Sequence, residues 1–325
     1  MTKRILSGFQ ASGRGELHIG NYCGAVYPIK KALRNKTIQE EEVYMMIADL
    51  HAMTVHSQDL NRKSFHMVKN LYAFHLGKKV NIYIQSHLDN FCKSFWLLSN
   101  FATTGEMNRM TQFKEKKLLN NSNIGLYTYP ILMAADILYI DADLVSVGED
   151  QLQHLEETRN IAHRFNTYKP DTFKIPLPFI TTTYRIRSLT DVTKKMSKTT
   201  PEGCLFLMDS EEVIRDKIKK AQTDSELFPS TFINMQERPA AYNLAVLYAI
   251  CGEIPMEDVI STYQGYTWKN FKEALLQVVV PFCLEFQKNY NNIDDEELLK
   301  ELSITTEKMN KIVKEKLNAS FSFFM

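Results

Sequence analysis

A glycine-rich turn set directly behind a short apolar run constrains this chain more than any other feature. The run is Ile5-Leu6, and the turn is Gln10-Ala-Ser-Gly-Arg-Gly-Glu-Leu-His18-Ile-Gly20-Asn21. Gly13, Gly15 and Gly20 let a backbone bend sharply into a helix, and they let a flat base or a phosphate come close. A strand that turns through glycine into a helix opens a βαβ unit, and repeated units of that kind build a parallel sheet covered by helices on both faces.

The rest of the first two-thirds keeps that rhythm. Val43-Tyr-Met-Met-Ile47 leads into Ala48-Asp-Leu-His51, and Val80-Asn-Ile-Tyr-Ile84 follows a helical period from Phe65 to Leu76. The expected class is therefore α/β, with ligands held at the carboxyl ends of the strands, where Gly13 to Asn21 would lie. From Glu211 onward the pattern is helical: Glu211 to Gln222, Ala240 to Cys251, Met256 to Tyr263, Trp268 to Asn289 and Thr305 to Asn318. Residues 1–205 are read as an α/β domain and 206–325 as a smaller all-helical one, with Pro201-Glu-Gly203 and Phe228-Pro-Ser230 both available as the break. Pro281 is expected to kink or end its helix, and Asp294-Asp-Glu-Glu297 to start one.

Composition removes several classes. Lys plus Arg number 39 against 38 for Asp plus Glu, so a nucleic acid would have to be met by local patches. Cys23, Cys92, Cys204, Cys251 and Cys283 are odd in number and never two or three apart, which argues against a disulfide framework, a zinc site or an iron–sulfur cluster. Leu275 to Leu284 is broken by Gln277 and Pro281 and is too short for a membrane span. A start that runs straight into the first strand leaves no room for a signal peptide. A cytoplasmic protein is expected.

Chemistry concentrates at a few places. Lys195-Met-Ser-Lys198-Thr199 carries two lysines three apart, a spacing that would aim both at one anion if the loop took a helical turn. Alone it would be a solvated basic loop; paired with the glycine-rich turn it points to a nucleotide, whose phosphates the lysines would neutralise. Lys116 is a third cation for those phosphates, or an ordinary surface lysine. His18 and Asn21, at the first turn of a helix, could donate to phosphate oxygens or merely cap the turn. Gln10 and Ser12 would hold adenosine or phosphate, and Gly20 would leave space for the base. In Val147-Gly-Glu-Asp-Gln151, Gly148 could bring the backbone to a ribose and Asp150 accept from its hydroxyls, unless the acids serve only the following helix dipole. Asp136 stands alone in an apolar segment, Tyr129 to Ile140, so it must be paired, protonated or facing a cavity. Indole N–H is a donor only, and one carboxylate acceptor suits it.

These segments resemble the class I aminoacyl-tRNA synthetases, with His18-Ile-Gly-Asn21 and Lys195 to Thr199 in the places of their two signatures. Thr111-Gln-Phe-Lys-Glu-Lys116, Met133-Ala-Ala-Asp136, Val147 to Gln151 and Ala221-Gln-Thr-Asp-Ser-Glu226 narrow the resemblance to bacterial-type tryptophanyl-tRNA synthetases. The likeness covers nearly the whole chain and thins toward its C-terminus. It implies a Rossmann-like catalytic domain and a helical domain for the tRNA anticodon. It also implies a homodimer, ATP with Mg2+, L-tryptophan and tRNA(Trp). ATP-binding positions would be Gln10, Ala11, Ser12, His18, Gly20, Asn21, Gly148, Glu149, Asp150, Ile186, Lys195, Met196, Ser197, Lys198 and Thr199. The tryptophan pocket would be Leu6, Gly8, His51, Tyr129, Met133, Asp136, Val147 and Gln151, with Asp136 reading the indole nitrogen. Lys195, Lys198, His18 and Lys116 would carry catalysis. Departures are Ala11 and Ser146 where proline is usual, Leu6 where an aromatic is often found, and Thr199 where serine is common. A tyrosyl enzyme, a small-molecule adenylyltransferase and a silent RNA-binding paralogue are the rivals. Basic residues of the helical third, among them Lys269, Lys272, Lys288, Lys308, Lys311, Lys314 and Lys316, could meet RNA phosphates.

Overall fold

In the computed structural model the described residues are 3–11, 15–39, 42–55, 58–111, 123–148, 151–179, 185–322 and 324. Five parallel strands lie in the order β3-β2-β1-β4-β5: β1 is Ile5–Gln10, β2 Val43–Ala48, β3 Asn81–Ile84, β4 Leu144–Ser146 and β5 Leu177–Pro178. The order reverses between β1 and β4, which opens a crevice at their carboxyl ends. β2 and β3 are buried at every position, as strands covered on both faces require.

Alternation along the strands divides the core into two layers. On one face Ile5, Phe9, Met45, Ile47, Ile82 and Ile84 pack with helix Leu60–Ala73 and with the helical segments Ile19–Asn21, Tyr22–Val26 and Tyr27–Arg34. On the other face Leu6, Tyr44, Met46 and Tyr83 pack with helices Phe91–Ser99, Ile124–Leu138 and Leu152–Tyr168. Helix Asp295–Phe321 also sets Met309, Val313 and Leu317 into that second layer, while helices Pro239–Cys251 and Trp268–Asn291 continue the first.

One helix start moves, and of the two outcomes open to Pro281, a kink or an end, the end is ruled out. Pro281 does not end its helix, which runs from Trp268 to Asn291 with the proline inside. Buried Phe271, Leu275 and Val279 before it, and Cys283 and Phe286 after it, bury one continuous face, so tertiary packing outweighs the local cost of proline. The expected start at Thr305 moves back to Asp295, because Asp294 caps the helix by accepting from the Glu297 N–H at 2.8 Å. That cap makes the acidic run and the Thr305 segment parts of one helix.

Candidate active site

A cavity of about 1360 Å³ opens at the carboxyl ends of β1, β2 and β4. Leu6, Gly8 and Gln10 share one face of β1, and the register sets Gly8 beside Met46 and Gln10 beside Ala48 on β2; all five line the cavity. So do His18, Gly20, Asn21, His51, Tyr129, Met133, Asp136, Val147, Gly148, Gln151, Ile186 and Lys195 to Thr199. Ala11 is fully buried and does not line it. Ser12, Lys116, Glu149 and Asp150 lie outside the described residues.

At one end the sequence builds an anion receptor. His18 precedes the first helical turn, where its backbone N–H donates to Asn21 Oδ1 at 3.1 Å. Asn21 thus spends its acceptor on the cap and keeps its amide N–H groups for other work. Burial first, and then the charges of Lys198 and Lys195, push the His18 imidazole down to about 4, so at neutral pH it is an uncharged ring. Its Nδ1 is buried without a hydrogen-bond partner among the described residues. A Cβ at position 20 would stand 2.9 Å from that Nδ1, so any larger residue there has to displace the His18 ring.

The lysine loop does not form the helical turn that would bring Lys195 and Lys198 together. Lys195 bridges Arg187, and the Met196 N–H donates to the Ile186 carbonyl at 3.1 Å, which draws the segment out beside residues 186–187. Both lysines nevertheless line the cavity, because buried Met196 anchors the loop between them. Lys195 is exposed, whereas burial lowers the half-buried Lys198 from the usual lysine range. The chain that follows is strapped to the His18 turn: the Ile19 N–H donates to the Leu205 carbonyl at 2.9 Å, and the Leu207 N–H to that of Leu17 at 3.1 Å.

Apolar walls of Leu6, Met133 and Val147 enclose the Asp136 end of the cavity. The Asp136 carboxyl is 1% exposed, with His51 Nε2 at Oδ2 and Gln85 Nε2 at Oδ1, each at 2.8 Å, and each oxygen keeps a further lone pair for another donor. Burial pushes its pKa up, and the His51 and Gln85 contacts pull it back. The Tyr129 hydroxyl meets His154 Nε2 at 2.6 Å, and His154 Nδ1 meets Gln151 Oε1 at 3.0 Å.

Sequence reasoning missed Gln85 and His154. Gln85 follows β3 directly, a position at a strand's carboxyl end that could have flagged it. His154 lies one helical turn beyond Gln151, and nothing in the pattern separates it from a core residue. Among the described residues no group of three or more His, Cys, Asp or Glu side chains could hold a metal ion. No helix among them is long and apolar enough to cross a membrane.

Comparison with known proteins agrees with this geometry. A family described as class I tRNA synthetases for W and Y matches residues 2–282. The chain is 38% identical over 322 residues to the tryptophan–tRNA ligase of Caldanaerobacter subterraneus, covering 97% of this chain and 96% of that one. It is 38% identical over 324 residues to the corresponding ligase of Bacillus subtilis, covering 96% and 94%. The solved tryptophanyl-tRNA synthetase of Mycoplasma pneumoniae superposes with a TM-score of 0.87 at 31% identity, covering 100% of this chain and 98% of that one. That of Campylobacter jejuni, solved with ADP and tryptophan, gives 0.79 at 29% identity and 98% of each chain. This chain belongs to the class I tRNA synthetases for tryptophan and tyrosine.

Proposed function

We propose that this chain is a tryptophan–tRNA ligase that activates L-tryptophan with ATP and transfers it to the 3′ end of tRNA(Trp). The observation that carries the reading is one cavity with a buried carboxylate acceptor in an apolar end and a neutral histidine with two lysines at the other. Asp136 accepts from the indole N–H, which is a donor only.

In the first step a carboxylate oxygen of tryptophan attacks the α-phosphorus of ATP. The bond to the bridging oxygen breaks, and pyrophosphate leaves with its electron pair. In the second, a terminal ribose hydroxyl of the tRNA attacks the acyl carbon, AMP leaves, and the hydroxyl proton passes to solvent. No protein nucleophile is needed, so catalysis is positioning and charge stabilisation. Lys195 and Lys198 meet the charge that grows on departing pyrophosphate, and His18 donates to a phosphate oxygen without adding charge. ATP enters as its Mg2+ complex, which supplies charge neutralisation on the phosphates. Ser12, Lys116, Glu149 and Asp150 join the nucleotide site by motif.

In this reading residues 1–205 form the catalytic domain and 206–325 the part that meets the anticodon arm. The enzyme works as a cytoplasmic homodimer, a state favoured by an apolar groove that carries the exposed side chains of Trp96 and Ile124. Amino-acid-dependent ATP–pyrophosphate exchange across all twenty amino acids tests the assignment. Tryptophan alone is expected to support rapid exchange; faster exchange with tyrosine, or none with any amino acid, overturns it.

A further inference from the structure

The geometry points to Asn243, in the helical part of the chain, as a positioning residue that places Lys195 at the cavity. Asn243 is 3% exposed on helix Pro239–Cys251, among the buried side chains of Ala240, Ala241, Leu244 and Leu247. Asparagine suits a helix interior poorly and costs free energy when buried unpaired, so its amide has to be committed elsewhere. Both ends go to one residue. The Arg187 N–H donates to Asn243 Oδ1 at 2.8 Å, and Asn243 Nδ2 donates to the Arg187 carbonyl at 3.1 Å.

Those backbone groups are available because of how the lysine segment pairs. In the antiparallel bridge of Arg187 with Lys195 the bonds are made by the neighbours, from the Ser188 N–H to the Lys194 carbonyl at 2.9 Å and from the Met196 N–H to the Ile186 carbonyl at 3.1 Å. Arg187 therefore turns its own N–H and carbonyl to the opposite edge. A side-chain amide carries a donor and an acceptor in one plane, so Asn243 stands there in place of a third strand. The hairpin is closed at its tip, where Arg187 donates from its guanidinium to the Val192 carbonyl at 2.9 Å and Gln222 Oε1 accepts from the Val192 N–H at 3.1 Å. Whatever fixes Arg187 then fixes Lys195 across from it, and Ile186 and Lys195 both line the cavity. This inference rests on the reading that Lys195 meets the phosphates of ATP, and assigns the placement of that lysine to Asn243.

Single-turnover adenylate formation in wild type, Asn243→Leu, Lys195→Ala and the doubly substituted chain tests it, with tryptophan binding followed by calorimetry. Leucine keeps the volume and removes both partners of Arg187. Asn243→Leu is expected to slow adenylate formation roughly 10–100-fold, the scale of a misplacement by an ångström, with tryptophan affinity within about twofold of wild type. On the Lys195→Ala background the same change is expected to cost less than about threefold, because its effect passes through a lysine already gone. Residue-resolved amide exchange of the unaltered chain is expected to show the Arg187 N–H opening together with helix Pro239–Cys251 and far more slowly than the N–H of exposed Thr199, and this result decides the matter if Asn243→Leu does not fold. An unchanged rate in Asn243→Leu, an equal cost with and without Lys195, an equal loss of tryptophan binding, or an Arg187 N–H that exchanges as fast as that of Thr199 overturns the inference while leaving the ligase reading intact. A wild type that forms no tryptophanyl adenylate overturns both.

Discussion

Burial and hydrogen bonding act on Asp136 in opposite directions, and that balance makes it a sensitive probe of the pocket. Replacing it with Ala strips a partner from the buried Gln85 amide, from His51 and from the incoming indole. The expected loss in kcat/KM for tryptophan is about 1–3 kcal/mol or more, with KM for ATP nearly unchanged, as steady-state exchange kinetics would show. Lys198→Ala acts on the rate instead: adenylate formation in single turnover is expected to fall roughly 10²–10³-fold while tryptophan binding stays near normal. An unchanged single-turnover rate would reduce the lysine loop to a solvated basic run. His18 supplies a pH signature. Its folded-state pKa of about 4 lies below the ordinary 6.5, so the unfolded chain binds the proton first as pH falls. The stabilisation is whole above pH 6.5 and is lost as pH drops toward 4, by roughly 3 kcal/mol at most. Urea unfolding of His18→Asn at pH 7.5, 6 and 5 is expected to show a shallower decline than wild type; parallel declines would mean that His18 titrates normally.

Among the elements, the short turn 203–207 has the most influence for its length. It straps the end of the lysine loop to the His18 turn, and the Gly203 carbonyl also accepts from the Leu189 N–H at 2.9 Å. A Cβ at position 203 would stand 2.1 Å from Ser188 Oγ and 2.7 Å from Thr190 Oγ1, so Gly203→Ala forces these hydroxyls to move, and Ser188 Oγ with them from the Thr190 and Asp191 N–H groups that it accepts from. The expected cost is about 1–3 kcal/mol of unfolding free energy together with slower adenylate formation, since His18 and Lys198 are held across this strap. Stability lost without any change in rate would mean that the strap is structural only. This element also marks where the sequence ceased to be readable. β1, β2 and β3 were legible from apolar runs beside glycine or helical period, and helix Met256–Tyr263 from its own pattern. β4 and β5, three and two residues long, leave too little periodicity to read. The Arg187–Lys195 bridge, eight residues apart, and the strap, which joins segments far apart in sequence, are made by backbone groups that every residue carries. The cavity's lining was legible because motif residues carry it; Gln85 and His154 were not, because their work depends on which neighbour they reach in space.

At the scale of the whole molecule, a formal net charge of +1 leaves no general attraction for RNA, so the surface must offer it locally. The structure sorts the lysines of the helical third. Lys308 donates to Asn81 Oδ1 at 2.7 Å, Lys316 to the Thr172 carbonyl at 2.9 Å and to Asp141, and Lys272 to the carbonyls of Lys219 and Ala221. These three hold the last helices against the rest of the chain. Lys311 and Lys314 are exposed on helix Asp295–Phe321, the same helix whose opposite side packs Met309 and Val313 into the sheet's second layer. Replacing both by Glu is expected to weaken tRNA charging most at low salt, because each lost phosphate contact removes about one unit from the slope of log affinity against log salt. Tryptophan-dependent pyrophosphate exchange without tRNA is expected to stay within about twofold of wild type, since neither lysine lines the cavity. Lys308→Glu serves as the contrast: it places a carboxylate against Asn81 at the sheet edge and is expected to lower thermal stability and both activities together. If the Lys311 and Lys314 variant charges tRNA normally across a salt series, the RNA lies on another face; if it loses exchange as well, this side of the helix supports the fold.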